Sequence, residues 1–308
     1  MLLRRVASWV LLLCCSAVVL PAWAQKKQGA ARAGSLRLLT YNVAGLPEGL
    51  SAVHPVSNLP RVGALLQRYD FVLVQEDYAY PALLRQRLRL PYSSPPFVRG
   101  NALHFGDGLS QFGKLAFGAT ERRPWSHCHG LLDSYFDCLT PKGLAMVRVE
   151  LSPGVSLDVY NVHLDAGPGL RDQQARAEQL KQLAKTLLSL SGNRAVVVGG
   201  DFNLSWSEMH RLYAFADAAG LRDSCTTLQC REPWRIDRVL VRSSPALSLT
   251  PRAWSVDLAF RDLKGRPLSD HLAVAVVLDW VASEPAEGAG TFYDAATRHG
   301  RSSATLGP

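Results

Sequence analysis

Short apolar runs recur along the chain at 36–41, 71–75, 114–118, 144–151, 156–162, 195–198, 235–241 and 272–278. Each is too short for a helix and is rich in β-branched or aromatic residues, so each predicts a strand. The runs LAMVRVEL and VSLDVYNVHL are separated by Pro153 and Gly154, which predicts a hairpin. Helical spacing of apolar residues predicts three helices. Near 59–69, Val62, Leu65, Leu66 and Tyr69 share a face, with Pro60 suited to the first turn. Over 172–190, Leu180, Leu183, Ala184, Leu187 and Leu188 line one side while Arg, Gln and Lys take the other. A third helix is expected over 207–219. No fixed-period repeat is present. Strands outnumber helices and include hairpins, so the pattern predicts mixed sheets with helices packed outside them, rather than a parallel array.

The chain ends follow a different pattern. Arg4 and Arg5 lead an apolar run from Val6 to Leu20, and Ala22-Trp23-Ala24 follows as a cleavage signature, so residues 1–24 read as an export signal. Neither Cys14 nor Cys15 follows the small residue that a lipoprotein signal would place there. Residues 25–34 read as a flexible lead and 283–308 as a polar, disordered tail, leaving one domain over 35–282. No apolar run reaches the roughly 18 residues of a membrane span. The expected product is therefore an exported, soluble, monomeric protein, periplasmic or secreted. Its formal charge is +8, or +6 without Arg4 and Arg5, which favours anionic partners such as nucleic acid or phospholipid headgroups. The arginines are scattered, with no dense basic cluster of the kind that marks a nucleic-acid groove. Cys128, Cys138, Cys225 and Cys230 form two sequence-local pairs, and an oxidising compartment favours two disulfides. A metal site is the alternative, kept open by His127 and His129 beside Cys128.

Candidate chemistry sits where strands stop. The run AVVVGGDFN leaves a strand through Gly199 and Gly200 and presents Asp201 and Asn203. Other strands end on Asn42, Glu76 and His163, and Asp270 and His271 open the last one. Each alone is an ordinary turn or cap residue. Sheets gather strand ends in space, however, and ligands collect at such rims. Carboxylates and amides there suit a hard cation, with Glu76 as an oxygen donor for Mg²⁺. His163 and His271 titrate near neutrality and can exchange protons.

In order, TYNVAGLP, VLVQED, VYNVHLDAG, VVVGGDFN, WRIDRVLV and LSDHLAV resemble the motifs of the endonuclease/exonuclease/phosphatase family, the DNase I-like fold. The resemblance reaches almost the whole chain after residue 35. It implies an α/β four-layer sandwich, two mixed β-sheets flanked by helices, with a metal-dependent phosphoesterase site along one edge. Position by position, it implies a metal site of Glu76 as the main ligand with Asp270 and Asn42, Asn42 also binding phosphate and the metal's water shell. It implies that His163 contacts the scissile phosphate with Asn161 beside it, and that Asp201 and Asn203 position nucleophile and phosphate. Asp237 would orient His271, the expected general base for in-line attack by water. Mg²⁺ is the expected cofactor, with Mn²⁺ or Ca²⁺ also admissible.

The substrate is open between three classes. Secreted nucleases of the family carry Lys-Glu before the His-bearing strand, whereas this chain has Lys142-Gly143, as bacterial sphingomyelinases do. The stretches VHLDAG and GDGLSQFGKLAF also resemble lipid-directed members. The expected reaction is thus phosphodiester hydrolysis on a phospholipid such as sphingomyelin. A nuclease, an inositol-phosphate phosphatase and an inactive binding module are the alternatives. Residues 120–143 carry Trp125, Leu131, Leu132, Tyr135 and Phe136 around the Cys128 and Cys138 pair. They are expected either to reach a lipid surface or to fold onto the sandwich.

Overall fold

In the computed structural model, residues 32–96, 106–130 and 137–283 are described. The export signal expected over 1–24, most of the lead and all of the tail beyond Ser283 lie outside them, as do Leu131, Leu132, Tyr135 and Phe136. The chain runs β1 (Ala33–Asn42), α1 (Pro55–Leu66), β2 (Phe71–Gln75), α2 (Pro81–Arg85), β3 (Tyr92–Ser93), β4 (Ser110–Gly113), β5 (Glu121–Pro124), β6 (Gly143–Ser152) and β7 (Val155–His163). It continues with α3 (Leu170–Ser191), β8 (Val196–Asp201), a single 3-10 turn (Trp206–Glu208), α4 (Met209–Ala219), β9 (Arg222–Asp223), α5 (Ser224–Thr227), β10 (Asp237–Arg242), β11 (Leu247–Val256) and β12 (Val274–Ala282).

The strands form two six-stranded sheets, ordered β11-β12-β1-β2-β4-β3 and β5-β6-β7-β8-β10-β9. Each contains one parallel pair, β1 with β2 and β7 with β8, and each such pair is connected through a helix, α1 or α3. All other pairings are antiparallel, so both sheets are mixed. Alternating residues supply three apolar layers. Leu38, Leu73, Val149, Val159, Val197 and Val276 meet between the sheets. Leu39, Val72 and Val74 turn outward onto Leu59, Val62 and Leu66 of α1. Tyr160, Val162 and Val198 turn outward onto Leu180, Leu183 and Leu187 of α3 and Leu212 of α4. The result is the expected four-layer sandwich. Among the described residues, no helix is long and apolar enough to cross a membrane.

Several boundaries differ from those the pattern predicts. β1 begins at Ala33, inside the expected flexible lead, because it pairs with β12 from Val281 onward. The strand expected at 114–118 lies earlier, at 110–113, where it pairs with β2. Only Phe117 bridges to Val149, while Leu115 and Phe117 pack against the edge of the core. Helix α1 starts at Pro55, which leaves Pro60 inside it rather than in its first turn. β11 is absent from the apolar pattern. It is an edge strand with a register shift at Pro251, the setting in which a strand tolerates proline.

Both cysteine pairs are disulfides, Cys128 with Cys138 and Cys225 with Cys230, at Cα separations of 5.3 and 4.9 Å. Their sulfurs are therefore not held for a metal. Trp125 does not face lipid. It is 9% exposed, packs under β6 and β7, and its indole N–H donates to the His163 carbonyl at 2.7 Å.

Candidate active site

The parallel pairs place four strand ends on one rim. Asn42 lies opposite Gln75, so Glu76 follows directly, and in the other sheet His163 lies opposite Asp201. β10 runs antiparallel to β8 and starts with Asp237 opposite Asp201. β12 runs antiparallel to β1, so the segment before it reaches the same rim. There the Ser269 hydroxyl donates to the Asn42 carbonyl at 2.7 Å and accepts from the His271 amide at 3.2 Å. Ser269 thereby ties Asp270 and His271 to the end of β1.

Gly200 carries the turn that aims Asp201. A Cβ there would lie 1.9 Å from the Val162 carbonyl oxygen, so only glycine lets β7 and β8 approach at this point. Gly143 has the same kind of role on β6, because a Cβ would lie 2.3 Å from the Arg123 carbonyl oxygen. Glu76 and Asn203 have positive φ angles of 59° and 50°, uncommon for residues other than glycine. The Glu76 carbonyl accepts from the amides of Gly45 and Tyr78, and Asn203 donates its amide to Asp201 Oδ1 at 2.9 Å. These bonds hold both residues in place.

Asn42 joins the two sheets at the rim. Its Nδ2 donates to Glu76 Oε1 at 2.9 Å and to Asp201 Oδ2 at 3.1 Å, and its Oδ1 accepts from the Ala44 amide. The amide thus aligns two carboxylates. His271 Nδ1 lies 2.9 Å from Asp237 Oδ2, which directs Nε2 toward Asp201 Oδ2, 3.7 Å away. His163 Nε2 lies 3.4 Å from the same oxygen and 3.9 Å from Glu76 Oε1.

Electrostatics separate the two histidines. Burial, with Lys142 and His271 beside it, drives His163 well below the usual imidazole range, so it is neutral. Burial also opposes charge on His271, but Asp237 and Asp201 outweigh it and hold the imidazole well above that range. Burial raises Asp201 to about 6. Asp201 and His271 therefore titrate as an interacting pair. The arrangement can orient a water between two basic groups and exchange its proton.

Asn161 and Asn203 spend their side-chain amides on hydrogen bonds within the protein. Asn161 is on the same face of β7 as His163, as alternation requires, but it is fully buried between the sheets. Its Oδ1 accepts from Gln75 at 2.6 Å and its Nδ2 donates to the carbonyls of Val74 and Ser110. It staples the sheets together beneath the rim and does not face a phosphate. Asn203 turns its Nδ2 to the Leu164 carbonyl at 3.0 Å, closing the loops after β7 and β8.

Glu76 and Asp270 line a cleft of about 210 Å³ with Leu50, Tyr78, Asp137 and Lys142. Lys142 and Asp137 form a buried ion pair at 2.6 Å. Nothing local in the sequence marks Lys142 or Asp137 as facing the rim, since Lys142 stands out there only as the neighbour of Gly143. Burial pushes the Glu76 carboxyl up, with Lys142 and Asn42 pulling against it. An all-oxygen pair whose like charges face one cleft fits Mg²⁺, which draws much of its shell from water. Among the described residues, Asp201, Asp237 and His271 also bring three possible ligand atoms within 4.8 Å of one another. Of these, His271 Nδ1 is already engaged by Asp237. In the cleft, Glu76 and Asp270 are the residues that would hold a hard cation.

The chain is 30% identical over 279 residues to the sphingomyelinases of Mycobacterium bovis and Mycobacterium tuberculosis, covering 82% of this chain and 54% of theirs. It thus spans about half the length of these curated relatives. Among solved structures, D. rerio TDP2 complexed with single-strand DNA product aligns with a TM-score of 0.63 at 19% identity, covering 80% of this chain and 99% of that one. Sphingomyelinase C from Streptomyces griseocarneus aligns with a TM-score of 0.57 at 19% identity over 79% of this chain and 99% of that one. Both likenesses concern the fold. The family profile described as endonuclease/exonuclease/phosphatase matches residues 39–271, which contain every site residue above. The chain belongs to the endonuclease/exonuclease/phosphatase family, a family of phosphoric ester hydrolases.

Proposed function

We propose that the protein is an exported, divalent-cation-dependent phosphodiesterase that hydrolyses a phospholipid such as sphingomyelin by in-line attack of water. The observation that carries the reaction is the facing of Asp201 and His271 across 3.7 Å, with His271 oriented by Asp237 and Asp201 held by Asn42. Asp201 and His271 hold the attacking water between them, and neutral His271 takes its proton. Neutral His163 lies buried against Asp201 and Glu76, facing the phosphoryl group. Glu76 and Asp270 would hold the cation, which supplies charge neutralisation at the phosphoryl oxygens and the leaving group.

The lipid assignment rests on the mycobacterial sphingomyelinase relatives and on Gly143, where the contact with β5 leaves no room for the nuclease-type glutamate. The D. rerio TDP2 likeness and the basic charge favour a second reading, a nuclease. A panel assay separates them. The full chain is incubated with sphingomyelin, phosphatidylcholine, single- and double-stranded DNA and inositol phosphates, each with Mg²⁺, Mn²⁺ or Ca²⁺. Phosphocholine release from sphingomyelin, at a rate that the other substrates do not match, is expected. Faster cleavage of DNA would replace the lipid reading.

A further inference from the structure

Two tryptophans stand in solvent on loops that carry reaction-centre residues. Trp206 is 60% exposed and Trp234 57% exposed, although most large apolar side chains among the described residues are covered. Trp206 follows Asp201 and Asn203 on the loop leaving β8, and Trp234 precedes Asp237 on the loop entering β10. The two loops are joined. The Phe202 amide donates to the Ile236 carbonyl at 2.9 Å, and the buried Arg238 guanidinium reaches Met209 Sδ, the Pro233 carbonyl and Asp223. Each loop is also stiffened locally. Ser205 caps onto Glu208, which the buried Arg176 holds at 2.8 Å, and Cys225 to Cys230 closes the turn before Trp234.

These bonds tie the backbone on either side of the exposed indoles. Other apolar side chains join them around the same rim, Leu50 after β1 at 73% exposed and Leu170 after β7 at 77%. Cations sit beside them. Arg171 follows Leu170 and Arg231 lies on the Trp234 loop, both exposed and without an ion-pair partner among the described residues. Indole has an apolar body and one N–H donor, the combination enriched at the headgroup level of bilayers. Guanidinium matches a lipid phosphate through paired hydrogen bonds.

We infer that the rim bearing Trp206 and Trp234 is a bilayer-docking surface, with the indoles inserted at headgroup depth and Arg171 and Arg231 on lipid phosphates. The inference deepens the phospholipase reading and rests on it for its purpose, since it brings the Asp201 and His271 pair down onto the layer that holds the substrate. The loops that carry the indoles also carry Asp201 and Asp237, which argues for a lipid layer over a separate protein partner.

Binding is read without turnover, by sedimentation of the full chain with phosphatidylcholine vesicles free of sphingomyelin. Wild-type protein is expected to partition onto them and W206A/W234A to lose at least tenfold in apparent affinity, with a melting midpoint unchanged by circular dichroism. A double variant that binds within twofold of wild type overturns the inference. Should the variant misfold, the wild-type protein decides alone: a blue shift of tryptophan emission on adding vesicles supports docking, and its absence overturns it. Loss of single-strand DNA binding in the variant with vesicle binding intact also overturns docking and assigns the indoles to base stacking. Docking that holds while sphingomyelin is not cleaved leaves this inference standing and removes the substrate assignment alone.

Discussion

His271 and Asp237 come from segments far apart in the chain and meet with Nδ1 2.9 Å from Oδ2, which turns the other ring nitrogen toward Asp201. If the two act as one unit, each single change removes the same function. H271A is expected to lower kcat by about 10²- to 10⁴-fold, and H271A/D237N to be little worse. Multiplicative losses in a double-mutant cycle would separate their roles.

The shifted histidine also sets a pH dependence. Asp237 and Asp201 hold His271 protonated to a pH above the usual imidazole value, and a base must first lose that proton. Activity is therefore expected to rise with pH through the raised value. D237N removes one of the charges that raise it, so the acidic limb of kcat/KM should move to lower pH even as the plateau falls. Stability has the opposite sign. The raised pKa contributes stability that is complete below about 6.5 and is lost as pH rises through the folded value. An acidic limb unmoved in D237N would mean that another group controls it.

Glu76 is partly exposed in the cleft and supports no apolar packing. E76Q keeps its shape and removes its charge, so kcat should fall at least about tenfold and the Mg²⁺ concentration for half-maximal rate should rise. The melting midpoint should hold or increase, since burial disfavours the ionised carboxylate. Unchanged Mg²⁺ dependence would remove Glu76 from the cation site.

Asn161 is expected to behave as a structural residue. N161A removes the side-chain bonds to the Val74 and Ser110 carbonyls and one of those made by Gln75, which keeps Thr40, at roughly 1–3 kcal/mol for each buried group left unsatisfied. Thermal denaturation should show a drop of several degrees. A normal melting curve with a raised KM would instead restore the phosphate-contact role.

Gly143 tests packing against specificity. G143A places a methyl group against the Arg123 carbonyl and should destabilise the β5 and β6 pairing by about 1–3 kcal/mol. The unfolding midpoint in urea measures it. A fully stable G143A would show that β5 can yield there.

Alternation and polar strand ends are local properties, and they were legible in the sequence. Leu36 and Leu38 opposite Arg37, or Val147 and Val149 opposite Arg148, announce strands with one covered face, and the spacing of Leu180, Leu183 and Leu187 announces α3. Asn42, Glu76, His163, Asp201 and His271 could be picked out because each follows or precedes such a run. What the sequence could not determine was where each side chain points once the layers close. Asn161 and His163 share a face of β7, yet Asn161 lies deep enough to bond across the sheets while His163 reaches the rim. Trp125 carries the same apolar label as Trp206, but β6, β7 and α3 cover the first and leave it 9% exposed, while the second remains 60% exposed. β11 was hidden because edge pairing at Pro251 depends on β12, a partner later in the chain. The tertiary structure decided these points because pairing, depth and cover are set by residues distant in sequence, and a local pattern records only which faces are apolar.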